Sequence, residues 1–158
     1  MKGLLSLLTL AGLLGLSQLA IAQDPVYFAD ANLKAAVESE LGITDPTPTD
    51  MLLLTSLVAF GRLIVDLTGI EYAMNLTSLF LLNNQIKDIS PLSGLTNLGH
   101  LELSNNQISD ISPLSGLTTL GYLYMNDNQI SDISPLSGLT NLVDLELSNN
   151  QINYTPAY

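Results

Sequence analysis

The chain has 158 residues, of which 15 are Asp or Glu and only 4 are Lys or Arg, and it contains no cysteine. The missing cysteines exclude disulfides and thiolate metal sites. The acidic balance excludes the basic surface with which proteins bind nucleic acid or an anionic membrane. Because 47% of the residues are hydrophobic and only 12% are charged, the composition also excludes a disordered acidic chain.

The first 22 residues have the pattern of a secretory signal peptide. Lys2 precedes an apolar run over residues 4–16, and residues 20–22, Ala-Ile-Ala, form a small-x-small cleavage site. The run is shorter than the roughly 20 residues that span a bilayer. We predict cleavage after Ala22, with no transmembrane segment left, and export of the mature chain to the cell surface, the periplasm or the medium. An uncleaved N-terminal anchor is the alternative.

Residues 23–55 predict a small helical N-terminal cap. Asp30 is a favourable N-cap, apolar residues follow with helical spacing, and Gly42 is a typical stop. Either Thr49 or Asp50 is expected to cap a second short helix that carries Met51–Leu54. A stack of repeats leaves its first apolar end open, and these helices would cover it.

Residues 56–158 consist of about four to five repeats of 22 residues, the last one incomplete. The period is visible in a column of leucines: Leu57, Leu79, Leu101, Leu123 and Leu145. One unit, Leu101–Tyr122, reads LELSNNQISDISPLSGLTTLGY. It matches the leucine-rich-repeat pattern L-x-L-x-x-N-x-I, which indicates a solenoid.

Each part of this unit predicts a local structure. Leu101-x-Leu103 alternates with the period of a short strand. Asn106 is expected to turn inward and bond the backbone of adjacent units, because buried polar groups need partners. Ser112 and Pro113 predict the cap and the first residue of a 3-10 or short helical turn. Stacking predicts an α/β solenoid, a right-handed horseshoe with parallel strands on the concave face and the turns on the convex face.

Three segments resemble the internalin family of bacterial leucine-rich-repeat proteins. They are the cap DANLKAAVESELG, the atypical first repeat VDLTGIEYAMNLTSL and the units NQI-DISPLSGLTNL, and the resemblance covers roughly residues 26–152. It implies a secreted or surface-displayed protein that binds another macromolecule with its concave sheet. Internalin-like arrays usually have more repeats, a C-terminal cap and often a wall anchor. This sequence ends soon after its fifth predicted strand, and a short protein and a piece of a longer one both fit it.

Catalytic motifs are absent from the sequence. Its single histidine, His100, lies beside a strand leucine, and there is no nucleophile elbow, zinc-protease motif or phosphate-binding glycine loop. We therefore expect no enzymatic activity and no cofactor.

Two polar columns allow a structural and a functional interpretation. Aspartates recur at the repeat spacing, at Asp66, Asp88, Asp110 and Asp132. We favour a role in accepting backbone N–H groups of the following turn over a row of carboxylates that binds calcium. Asn75 and Asn153 begin N-x-T glycosylation triplets. Asn75 also shares a repeat column with Asn97 and Asn141, which favours a structural role.

The outward side of the strands is the candidate binding site. Between units Leu101–Tyr122 and Leu123–Asp144, seven of 22 positions differ, and six of these lie on or beside the strand. The candidate residues are Val58, Phe60, Phe80, Leu82, His100, Glu102, Tyr122, Tyr124, Asn126, Asp144 and Glu146. They run from an apolar half through aromatic residues to an acidic half, a mixture typical of protein-recognition surfaces. The alternative is that Phe80 and Leu82 are only covered by the cap or by a neighbour.

These observations favour a non-enzymatic, secreted or surface-exposed module for adhesion or recognition. Its partner would be a protein, a peptide or a small glycan, because the face has fewer positions than the roughly 20–30 residues of a standard interface. One alternative is a structural, self-assembling component of the cell envelope that associates through the open last repeat, near Leu145–Ile152. Another is the recognition part of a larger secreted protein.

Overall fold

The computed structural model describes residues 23–152. Two helices, α1 (Ala31–Leu41) and α2 (Pro48–Met51), precede five strands: β1 (Ser56–Val58), β2 (Ser78–Phe80), β3 (His100–Glu102), β4 (Tyr122–Tyr124) and β5 (Asp144–Glu146). A 3-10 helix lies between each pair of consecutive strands, at Ile70–Tyr72, Ser90–Leu92, Ser112–Leu114 and Ser134–Gly138. The predicted signal peptide and the Asn153 triplet lie outside the described residues.

The five strands form one parallel sheet in chain order. Each residue pairs with the one 22 positions later, so that Leu57 lies beside Leu79 and Leu101 beside Leu123. The sequence period is therefore also the spatial period. The predicted leucine-rich-repeat solenoid with a helical N-terminal cap is confirmed.

The apolar positions of the repeats form a continuous core between the sheet and the 3-10 turns. In the unit Leu101–Tyr122 the apolar repeat positions are at most 1% exposed: Leu101, Leu103, Ile108, Ile111, Leu114, Leu117 and Leu120. Burial of one such side chain stabilises the fold by about 2 kcal/mol. Each unit packs on its two neighbours, so the core extends along the whole described array.

The predicted inward asparagines each link two consecutive turns of the solenoid. Oδ1 of Asn106 accepts the N–H of Ile86 at 3.0 Å, and its Nδ2 donates to the carbonyl oxygens of Leu81 and Leu103 at 3.1 and 3.0 Å. Asn84, Asn128 and Asn150 make the corresponding bonds. The expectation for this column is confirmed.

The residue before each of these asparagines, and Gly61 at the same position of the first repeat, are in the left-handed region. The column comprises Gly61, Asn83, Asn105, Asp127 and Asn149, with φ between 55° and 61°. Glycine, asparagine and aspartate are the residues that adopt this conformation at least cost. The column was visible in the sequence at the repeat spacing, but its conformational role was not predicted.

The convex turns differ from the prediction by one residue. Ser112 is the first residue of its 3-10 helix, and Ile111, at the cap position, makes no side-chain capping bond. The capping role passes to Asp110, whose Oδ1 accepts the N–H of Ser112 at 2.8 Å. This hydrogen bond lowers the pKa of Asp110. The carboxylates of Asp66, Asp88 and Asp132 accept backbone N–H groups in the same way.

The cap helix α1 begins and ends as predicted. Asp30 accepts the N–H groups of Asn32 and Leu33 with Oδ1, and its Oδ2 reaches across to the N–H of Val65 in the first repeat at 2.8 Å. Burial alone would raise the pKa of Asp30, but these backbone hydrogen bonds outweigh it and lower the pKa. At the other end, Gly42 has φ 67°.

The prediction for α2 was wrong in its cap and its bounds. Thr47 is the N-cap, and it exchanges hydrogen bonds with Asp50 in a capping box. Pro48 fits the start of the helix because its ring fixes a helical φ and its missing N–H would be unpaired there anyway. The helix therefore starts before Thr49 and ends at Met51.

Candidate functional site

The outward strand residues form ordered columns on the concave face. The first comprises Ser56, Ser78, His100, Tyr122 and Asp144, and the second Val58, Phe80, Glu102, Tyr124 and Glu146. A third column follows at the repeat spacing just beyond the strands, at Phe60, Leu82, Ser104, Asn126 and Ser148. It is not uniformly accessible, because Ser104 is only 5% exposed and its Oγ accepts the N–H of Asn126. Ser148, the serine at the same position of the last described repeat, is exposed.

An aromatic ladder crosses the face from β1 to β4. We use this name for Phe60, Phe80, His100, Tyr122 and Tyr124. Phe60 meets Phe80 edge-on with ring centroids 6.1 Å apart, and Phe80 meets His100 at 4.7 Å. His100 then lies 5.4 Å from the rings of both Tyr122 and Tyr124. These geometries are those of attractive aromatic pairs.

His100 is the central member of the ladder. The sequence indicated a surface residue beside a strand leucine, and the structure places its half-buried ring against Phe80, Tyr122 and Tyr124. The imidazole thereby joins two aromatic groups that would otherwise be separated by a strand. Residues 22 apart are direct neighbours here, which was the signal available in the sequence.

The apolar end of the concave face is partly accessible. Val58 and Phe60 are 47% and 48% exposed. Phe80 and Leu82 are half-buried, and Phe80 is flanked by the rings of Phe60 and His100. The partial burial of Phe80 is therefore accounted for by its neighbours within the ladder.

The acidic end is held in place by hydrogen bonds from neighbouring strands. The hydroxyl of Tyr124 donates to Oδ2 of Asp144 at 3.0 Å, and the amide of Asn126 donates to Glu146. The pKa of Tyr124 is raised, chiefly because this hydrogen bond to Asp144 favours the protonated phenol. Asp144 and Glu146 are both exposed.

Glu102 differs from these two acids. It is half-buried, and its Oε1 accepts the N–H of Ser104 at 2.7 Å, so its carboxylate bends back onto its own strand. The negative charge accessible to a partner on this face is thus concentrated on β5, at Asp144 and Glu146.

Asn75 has the structural role that its repeat column indicated. Its Nδ2 donates to the carbonyl oxygen of Leu52 at 2.8 Å, and Asn97 and Asn141 make the equivalent bond to the preceding turn. Thr119 replaces asparagine in the remaining unit, and its hydroxyl lies within hydrogen-bonding distance of the equivalent carbonyl oxygen, that of Thr96, and of the carbonyl oxygen of Leu98.

A metal site and a membrane-spanning helix are two further features that each require a defined geometry. In residues 23–152 no group of three or more His, Asp or Glu side chains could hold a metal ion. Across the same residues, no helix combines the length and the apolar character needed to cross a membrane.

A family model for leucine-rich repeats matches residues 75–116 and 118–156. With the parallel sheet, the asparagine column and the 3-10 turns, this match defines the class of protein. The chain belongs to the leucine-rich-repeat family. No curated protein matches its sequence.

Solved structures show that the fold is of the internalin type. The internalin InlF of Listeria monocytogenes is 34% identical over 87% of this chain, with a TM-score of 0.72. The functional domain of InlJ from the same organism is 26% identical over 82% of the chain, with a TM-score of 0.69. The chain spans 49% of the InlF structure and 34% of the InlJ structure.

A plant receptor shares part of the fold. The ectodomain of the receptor kinase GASSHO1/SCHENGEN3 from Arabidopsis thaliana, solved in complex with Casparian strip integrity factor 2, is 29% identical over 56% of this chain. That match covers 11% of the receptor chain, with a TM-score of 0.51.

Proposed function

We propose that this chain is a non-enzymatic recognition module that binds a protein or peptide on its concave face after export. Residues 1–22 would be the signal peptide, residues 23–55 the cap and residues 56–158 the repeats that carry the site. The observation that supports this most strongly is the aromatic ladder, whose rings are partly exposed on the concave face. Internalins and a ligand-bound receptor ectodomain among the structural relatives support the same class of function.

The ladder is not required by the fold. In the column of His100 and Tyr122 the first two strands carry Ser56 and Ser78, in the column of Phe80 and Tyr124 the first strand carries Val58, and the register is the same. Large aromatic side chains lose little conformational entropy when they bind, and they contribute disproportionately to binding energy. Their mutual contacts hold the rings of the ladder in place before a partner arrives, which reduces the entropy cost of binding.

The proposal can be tested by selecting ligands and mapping them to the face. Random peptides displayed on phage would be selected on the immobilised mature chain, and the best binders synthesised. We expect Phe80→Ala combined with Tyr124→Ala to weaken their binding at least about tenfold, because each removes a partly exposed ring.

The matched control removes side chains from the convex face. Ser93→Ala combined with Ser115→Ala changes two exposed turn positions and should leave binding unchanged. Circular dichroism should show that both double variants are folded. Selected peptides that bind the ladder variant as tightly as the wild type would contradict the proposal.

End-to-end self-association is a second candidate, because the last described repeat exposes core positions. Leu145 is 42% exposed and Ile133 40%, whereas Leu123 and Ile111 are at most 1% exposed. Antiparallel pairing of β5 with a second β5 centred on Leu145 would, however, place Asp144 opposite Glu146 of the other copy. Like charges in directly opposed positions are destabilising. A monomer at neutral pH in light scattering would reject this candidate, and a concentration-dependent dimer would support it.

The module could also be the recognition part of a larger protein. This is favoured by the chain spanning 49% of the InlF structure and 34% of the InlJ structure. Sequencing the genomic DNA beyond the codon for Tyr158 tests it: an in-frame continuation with further repeats or another domain supports it, and an immediate stop codon contradicts it.

A further inference from the structure

Charge is distributed unevenly along the solenoid. The segment from Leu101 to Ile152 contains no Lys or Arg but six acids: Glu102, Asp110, Asp127, Asp132, Asp144 and Glu146. Two of the basic residues, Arg62 and Lys87, lie instead in the loops that follow β1 and β2. The concave face therefore changes along the array. Near β1 and β2 it is apolar and has cations in the adjacent loops, and near β4 and β5 it is aromatic and acidic.

The acidic end offers a surface for a planar cation. Tyr122 is 44% exposed on β4, and Asp144 is its direct neighbour on β5. Asp144 and Glu146 accept hydrogen bonds from Tyr124 and Asn126, which orient the carboxylates. Each carboxylate has about four lone-pair positions, so both can accept further donors. A guanidinium can stack on an aromatic ring and bond a carboxylate at once, which an ammonium does less well.

From this arrangement we infer the ligand's chemistry and direction. The ligand is an extended peptide segment that lies along the ladder, across the strands. An aromatic or aliphatic side chain contacts Val58, Phe60 and Phe80, and an arginine contacts Tyr122, Asp144 and Glu146. This inference rests on the proposed function and adds to it the class of ligand and its orientation.

The spacing of the sheet gives the spacing of the two anchors. The apolar anchor lies between β1 and β2 and the cationic one between β4 and β5, which is three strand separations or about 14 Å. An extended chain advances about 3.4 Å per residue, so the two side chains should be about four residues apart in the ligand. Because the accessible carboxylates lie on β5, the arginine lies at that end of the sheet and the apolar side chain at β1 and β2.

Three capped synthetic peptides test the inference by nuclear magnetic resonance titration of the isotope-labelled mature chain. The first carries phenylalanine and arginine about four residues apart in a Gly/Ser background. The second replaces the arginine with citrulline, its neutral isostere, and the third places phenylalanine and arginine side by side. We expect the first to shift the amides of β1 to β5 and to bind about tenfold more tightly than the other two.

Protein variants test the same contact from the other side. Asp144→Asn combined with Glu146→Gln should reduce the affinity for the arginine peptide about tenfold and leave the citrulline peptide unaffected. Asp24→Asn combined with Glu40→Gln removes the same number of charges from exposed positions outside the sheet and should change neither. Raising the salt concentration should weaken only the binding of the arginine peptides.

The outcomes separate the inference from the proposed function. Equal binding of the arginine and citrulline peptides on the concave face overturns the inference and leaves the proposed function intact. The same conclusion follows if none of the three synthetic peptides binds while phage-selected peptides do shift the amides of the ladder residues. Selected peptides that bind independently of the ladder overturn both.

Discussion

At the scale of single residues, each inward asparagine is held by several hydrogen bonds to the backbone. Asn84 accepts the N–H groups of Arg62 and Ile64 and donates to the carbonyl oxygens of Ala59 and Leu81. It is 7% exposed, so water cannot easily replace it. Each backbone group left unpaired by its removal costs about 1–3 kcal/mol.

We therefore expect Asn84→Ala to lower the free energy of unfolding by about 3 kcal/mol or more. Its neighbour Gln85 is exposed, and Gln85→Ala should change the stability by less than about 0.5 kcal/mol. Urea unfolding followed by circular dichroism measures both. Similar midpoints for the two variants would show that the asparagine column does not hold the turns together.

At the scale of elements, the first repeat is adapted to the cap. Gly69 stands where later units have the proline of their turn, as at Pro91. Its φ is 105°, and a Cβ there would lie 2.6 Å from Cδ1 of Phe28 and 2.9 Å from the carbonyl oxygen of Tyr27. The segment before α1 thus packs onto the first turn at a point where only glycine fits.

Gly69→Ala should consequently destabilise the chain by about 1–3 kcal/mol, because the methyl group meets both a ring and a backbone carbonyl. Gly94→Ala is the matched control in the next unit, since a Cβ there meets nothing within 4 Å. It should leave the stability unchanged or raise it by about 0.5 kcal/mol. Thermal unfolding compares the two. A Gly69→Ala protein as stable as the wild type would mean that the segment is not docked in solution.

At the scale of the whole molecule, stability depends on position along the stack. A repeat protein gains its free energy from contacts between adjacent units, so an inner unit has two interfaces and a terminal unit one. Leu101 is fully buried, whereas Leu145, in the same column, is 42% exposed. Two leucines that each begin the same sequence, LELSNNQI, therefore contribute unequally.

Leu101→Ala should cost about 3–5 kcal/mol, and Leu145→Ala only about 1 kcal/mol. The pair is its own control, because both substitutions remove the same atoms from the same repeat position. Chemical denaturation of the two variants gives the difference. Equal losses would indicate that Leu145 is covered in solution, either by residues that follow it or by another molecule.

Much of the fold was predictable because the sequence repeats itself. The core leucines, the inward asparagines and the aspartates before the turns recur every 22 residues, and each packs against a copy of itself, so the sequence period determines the register. The limits of α2 were not predicted, because Thr47 and Thr49 are both acceptable caps and only the packed structure selects between them.

The sequence also determined which residues share the concave face, since alternation along a strand and a fixed repeat together assign every outward position. It did not determine how those side chains meet. That His100 joins Phe80 to the two tyrosines, that Ser104 is covered, and that Glu102 bends back while Asp144 and Glu146 remain accessible all depend on contacts between strands. Rotamers and hydrogen bonds between residues 22 or more apart are selected by packing in three dimensions, and no local pattern encodes them.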